Sequence, residues 1–162
     1  MSRRGRESEL IYQKIRRING FTVETQTSLR DNRCSITYMD VEYFPESAVV
    51  LIHGHEPKVV ACLREQVAAL AAKRIEGFAV HELPGFRSVG GCLLFAHHDS
   101  FDYGIRPSSE PQVFDCRLKP LTWYNIEGLL EPFSDGRYFG ASHQFLDHHG
   151  KIELIISGGR GW

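Results

Sequence analysis

Seven histidines of this 162-residue chain, His53, His55, His97, His98, His143, His148 and His149, fall where a strand should end or a turn begin. Imidazoles there can bind a metal, and His53-Gly54-His55 places two of them on one side of an extended chain. Zinc needs three or four ligands converging at about 2 Å from the ion. His97 and Asp99 would complete such a set with His53 and His55 if the two strand ends were neighbours. The enzymatic reading that follows is a small histidine-dependent, metal-assisted hydrolase.

Other chemistries find less support. Metal motifs of barrel enzymes such as the cupins continue in strand with Glu and Gly at set spacings, whereas Pro57 here opens a helix. A nucleophilic Ser or Cys needs a neighbouring base and an oxyanion hole, but no Gly-x-Ser-x-Gly elbow occurs and Cys92 enters an apolar strand. Asp99, Asp102, Glu110 or Asp115 could serve acid–base chemistry beside a histidine, although carboxylates scattered along a polar loop are ordinarily solvated. The glycine-rich stretches 84–91 and 157–161 lack the lysine and Ser/Thr order of a phosphate cradle. No cofactor is expected.

Charge is distributed unevenly. Residues 1–20 carry Arg3, Arg4, Arg6, Lys14, Arg16 and Arg17 against Glu7 and Glu9, a local +4 that leaves −5 for the remainder. A basic tip can contact nucleic acid through phosphates, and Arg3, Arg4, Arg6, Arg16 and Arg17 would carry that reading. Bases do not interleave with the aromatics, however, so a solvating tail over residues 1–7 is the simpler expectation. Residues 98–135 hold seven acids against Arg106, Arg117 and Lys119, a net −4. There Asp99, Asp102, Glu110, Asp115, Glu127 and Glu131 surround Phe101, Tyr103, Trp123 and Tyr124. Aromatic anchors supply contact energy and opposite charge speeds encounter, so this segment is the candidate docking surface for a basic protein partner.

Positioning these residues falls to a mixture of helices and strands. Ser8 can cap an amphipathic helix bearing Leu10, Ile11, Ile15 and Ile18, and strands are expected over 21–27 and 34–44. Ala48 to Ile52 is continuously apolar and suits a central strand covered on both faces. Pro57 opens a helix with a stripe of Val60, Leu63, Val67, Leu70 and Ala71. Strands over 78–83 and 91–97 precede a long loop, 99–111, and a short strand over 113–118. Thr122 caps a third helix that Pro132 closes, and segments 137–146 and 151–157 form a hairpin about Asp147-His148-His149-Gly150. This order predicts one α+β domain spanning 1–162, with a mixed or mainly antiparallel sheet and about three helices on one face.

Hydrophobic residues at 42% and charged ones at 24% exclude wholesale disorder. The longest strongly apolar stretch, 48–52, is far below the roughly 20 residues a membrane span needs, and no apolar signal core follows the first arginines. Cys34, Cys62, Cys92 and Cys116 are scattered among apolar neighbours and read as buried thiols, which points to a cytoplasmic protein.

The closing pattern, Thr122-Trp123-Tyr124-Asn125-Ile126-Glu127-Gly128-Leu129-Leu130-Glu131-Pro132-Phe133, then the hairpin Phe145 to Leu154 and a terminal Trp162, resembles small bacterial immunity proteins that neutralise interbacterial toxins. The resemblance covers about the last quarter of the chain and includes no diagnostic motif. It implies a protein that binds a toxin and blocks it without catalysis. The leading expectation is therefore a non-enzymatic binding protein, with the hydrolase and the nucleic-acid module as alternatives.

Overall fold

Five consecutive apolar side chains, Ala48 to Ile52, can be hidden only where both sides of a strand are covered, and this segment lies inside the sheet with all five buried. The computed structural model describes residues 33–40, 48–137 and 143–158. Within them run β1 (Cys34–Met39), β2 (Ala48–His53), α1 (Pro57–Ala71), β3 (Gly77–Ala79), β4 (Phe86–Ser88), β5 (Leu93–His98) and β6 (Gly104–Pro107). After them come β7 (Val113–Leu118), α2 (Pro120–Ser134), β8 (His143–Asp147) and β9 (Ile152–Ser157). The helix expected after Ser8, the strand over 21–27, the basic tail with Arg3, Arg4, Arg6, Arg16 and Arg17, and Trp162 lie outside the described residues.

The fold is α+β with one mixed sheet, in the order β3-β5-β7-β6-β9-β2-β1-β4, and β8 pairs with β9 beside that path. β2 runs parallel to β9 and antiparallel to β1, while β5 and β7 form a second parallel pair. β6 meets β9 at one register pair, Ile105 with Ile152, and β8 occupies the rest of that edge. The sheet is thus two staggered halves joined at the starts of β6 and β9.

Two α-helices are described rather than three, and both contribute to one apolar cluster over the same side of the sheet. Val60, Leu63, Val67 and Leu70 of α1 and Trp123, Ile126, Leu130 and Phe133 of α2 meet Ile36, Val50, Ile52, Leu94, Phe114, Cys116 and Leu154. Met39, Val49, Leu51 and Ile155 form a smaller cluster on the other face. Helix α1 starts as expected: Pro57 needs no amide partner, and the Glu56 carboxylate accepts from the Lys58 N–H at 3.4 Å.

Several boundaries differ from the sequence expectation. The strand expected over 78–83 is three residues followed by a 3-10 turn, Val80–Glu82. The loop over 99–111 contains β6, a strand of four residues. Helix α2 starts at Pro120, ahead of Thr122, and runs past Pro132 to Ser134. Pro132 has no N–H to give the Gly128 carbonyl, so it removes one bond of the last turn, and the helix ends two residues later. The expected hairpin is present as β8 and β9, with a bulge between Phe145 and Asp147.

Candidate functional site

Two facts of chain direction decide where the histidines go. β5 and β2 are separated by β7, β6 and β9, four strand spacings or about 19 Å. In addition, His97 is level with the start of β2, through Arg117, Gly104 and the Ile105–Ile152 pair, while His53 stands at its other end. The set His53, His55, His97 and Asp99 therefore does not converge. Among the described residues no three His, Cys, Asp or Glu side chains are placed to hold a metal ion. The four residues that the hydrolase reading relied on are therefore not one metal site.

Each of these groups has its own setting. Burial, with a smaller contribution from His55, pushes His53 down to about 4, so it is neutral near pH 7. His97 Nε2 lies 3.0 Å from Asp115 Oδ1. His98 Nε2 lies 3.5 Å from Glu76 Oε2 without hydrogen-bond geometry. Asp99 accepts from the Ser100 N–H at 2.6 Å and faces Arg117 at 3.5 Å.

The acidic, aromatic segment is brought together more closely. Residues 99–103 leave β5 and return to β6, held at both ends because the Asp99 and Tyr103 amides donate to Leu118 and Arg117 carbonyls. At the crest, Asp102 Oδ1 accepts from the Lys119 N–H at 2.8 Å, tying the loop to the start of α2. Burial would raise this carboxyl, but the Lys119 amide, the Thr122 hydroxyl and the charges of His149 and Lys119 together hold it below the usual range. Phe101, beside it, is 61% exposed, while Leu121 and Tyr124, one turn apart on α2, are 69% and 65% exposed. Among the described residues only Val89 is otherwise a large exposed hydrophobic. A groove of about 670 Å³ lined by Lys73, His98, Asp99, Ser100, Lys119, Pro120 and Leu121 runs alongside.

Not every expected docking residue belongs to that surface. Trp123 is 2% exposed, and its indole N–H donates to the His97 carbonyl at 2.9 Å, so it is a core anchor and not a contact residue. Glu127 is 2.6 Å from Arg64, and Glu131 lies between Arg64 at 3.8 Å and Arg137 at 3.9 Å. Asp115 is held by His97 and by Arg117 at 3.8 Å. Much of the negative charge is thus paired within the molecule. Glu110 is exposed in the β6–β7 turn, at the opposite end of those strands from Phe101, whereas Tyr103 stays with the surface, 6.0 Å from Phe101 between ring centroids and under the Arg106 guanidinium.

One constellation went unanticipated. Asp147, 1% exposed, accepts from the His149 backbone N–H at 3.3 Å and lies 2.5 Å from His149 Nδ1. His149 Nε2 in turn faces Asp102 Oδ2 at 3.8 Å, and His148 stacks on the His149 ring with centroids 5.6 Å apart. The Asp147-x-His149 spacing was visible inside the expected turn; that Asp102 arrives from another loop was not. Comparison with known proteins adds nothing to this geometry, since no family model, curated protein or solved structure matches the chain.

Proposed function

We propose that this chain is a non-enzymatic binding protein that engages a basic protein partner through Phe101, Leu121 and Tyr124, with Asp99, Asp102 and Tyr103 beside them. The observation that carries the reading is that three of the four large exposed hydrophobics among the described residues fall at one end of the molecule. Singly exposed apolar residues need no explanation, but bulky ones gathered on a loop and a helix start, with carboxylates beside them, have the composition of an interface core. The resemblance of segments 122–133 and 145–154 to immunity proteins supplies the partner class: a toxin domain neutralised in the cytoplasm of the cell that makes it. Four free cysteines and the absence, among the described residues, of a helix long and apolar enough to cross a membrane are compatible with that setting.

The test is growth rescue on co-expression with the toxic domain encoded beside this chain. Full rescue by the wild type, lost in a Phe101→Asp/Tyr124→Asp double variant that melts at the wild-type temperature, supports the reading. Rescue undiminished in that variant, or no rescue at all, counts against it.

A further inference from the structure

We infer that the face of the sheet opposite the two helices is the docking site of the chain's own segment 8–19, which lies across it as an amphipathic helix with Ile11, Ile15 and Ile18 against Leu51 and Ile155. The inference concerns the other side of the molecule from the reading above and does not depend on it.

That face needs a cover. Along β2, residues 49, 51 and 53 stand on the side away from α1 and α2. Val49, Leu51 and Ile155 are 0% exposed there, and Met39 is 7% exposed. Side chains standing on one face of a sheet flank one another but leave their tips open, so burial this complete requires an element laid over them. Neither helix contributes to this cluster. Among the described residues the partly buried hydrophobic packed against it is Phe145, which pairs with Ile155 from the next strand and so lies beside it, not above it. Burial continues beyond the apolar patch, since Ser157 is 2% exposed and desolvation holds His53 neutral near pH 7.

Length and pattern name the occupant. The buried positions fall in three rows, Met39 with Val49, Leu51 with Ile155 and Phe145, and His53 with Ser157. Rows on one face are two residues apart, so the three span about 14 Å along the strands. From Leu10 to Ile18 a helix rises about 12 Å, and Ile11, Ile15 and Ile18 fall on it in one narrow stripe while Arg16 points the other way. Residues 1–32 lead directly into the described chain at β1, the neighbour of β2, whereas 41–47 have to close the connection between those two strands. Charge agrees with this choice: Glu153, level with Val49 on the same face, offers a carboxylate to Lys14 and Arg17 at the margins of the stripe.

Methyl NOE spectroscopy on the full chain, with Ile, Leu and Val methyls labelled, reads the contact directly. Ile11 and Ile15 should show cross-peaks to Leu51 and Ile155 that keep their relative intensity on dilution and are absent from the isotope-filtered spectrum of mixed labelled and unlabelled chains. Ile11→Asp/Ile15→Asp should lose the cover and bind several-fold more of a fluorescent dye that reports exposed apolar surface. Arg16→Asp, on the far side of the helix, should bind no more dye than the wild type. Absence of any cross-peak from segment 8–19 to Leu51 or Ile155 in the wild type overturns the inference. Cross-peaks confined to the filtered spectrum overturn it too, because they seat a second copy on the face. Dye binding in the double variant at the wild-type level does the same, since the face is then covered by something else.

Discussion

Trp123 and Phe101 were indistinguishable in the sequence, two aromatics in one acidic stretch, yet one is an indole bonded to the His97 carbonyl in the core and the other stands in solvent. Burial of a single residue depends on the helix face it occupies and on what arrives opposite, so it was not legible at the residue scale. Trp123→Phe should cost about 1 kcal/mol in chemical denaturation, since it removes the indole donor from the part-buried His97 carbonyl, and should leave partner binding unchanged. His53 gives a pH prediction with a definite sign. Its folded value of about 4 lies below the ordinary 6.5, so the unfolded chain binds its proton more readily. The stability it contributes is complete above pH 6.5 and is lost as pH falls toward 4, by about 3 kcal/mol at most. His53→Phe should remove that decline in melts across the range. Asp102, held low, behaves like other paired carboxylates: its contribution is present above about pH 3.9 and disappears in stronger acid.

Elements were legible in proportion to their length. Helix α1 shows a proline start and an apolar stripe over fifteen residues, and β2 an uninterrupted apolar run, so local pattern and tertiary burial agree. β4 and β6 have three and four residues, too few for alternation to register, and exist because longer neighbours pair with them. The start of α2 was misplaced because Thr122 has the side chain of a cap while Pro120 already has the backbone of a first turn. The contact of β6 with the β8–β9 turn is the most sensitive joint at this scale. At Gly104 the φ of 75° is one that a side chain disfavours, and a Cβ there would overlap the Gly150 backbone. Gly104→Ala should therefore cost about 2 kcal/mol or more by denaturant titration, with greater exchange in 147–151. Arg64, which links α1 to Glu127 and Glu131 of α2, is partly exposed, and Arg64→Ala should cost about 1 kcal/mol or less in the same titration.

Across the whole molecule, the stagger of the sheet is what the sequence does not display, since it rests on the pairing of Ile105 with Ile152, some fifty residues apart. It also determines chemistry: it separates the two histidine groups that looked like one metal site, and it brings the β8–β9 turn to Asp102. Two half-sheets meeting at one register pair would melt separately if the hydrogen-bond ladder alone joined them, but the cluster beneath them is shared. Ile36 and Ile52 from one half and Leu94, Phe114 and Leu118 from the other belong to the same buried group as both helices. Cooperativity follows the core rather than the hydrogen-bond ladder, because loosening either half exposes apolar surface of the helices that also cover the other. Leu130 sits in that shared core, fully buried. Leu130→Ala should lower stability by about 2–5 kcal/mol and still give one transition, with tryptophan fluorescence and far-UV circular dichroism moving together. Two separated transitions in that variant would mean that the halves are independent units, and the shared core would then not be what joins them.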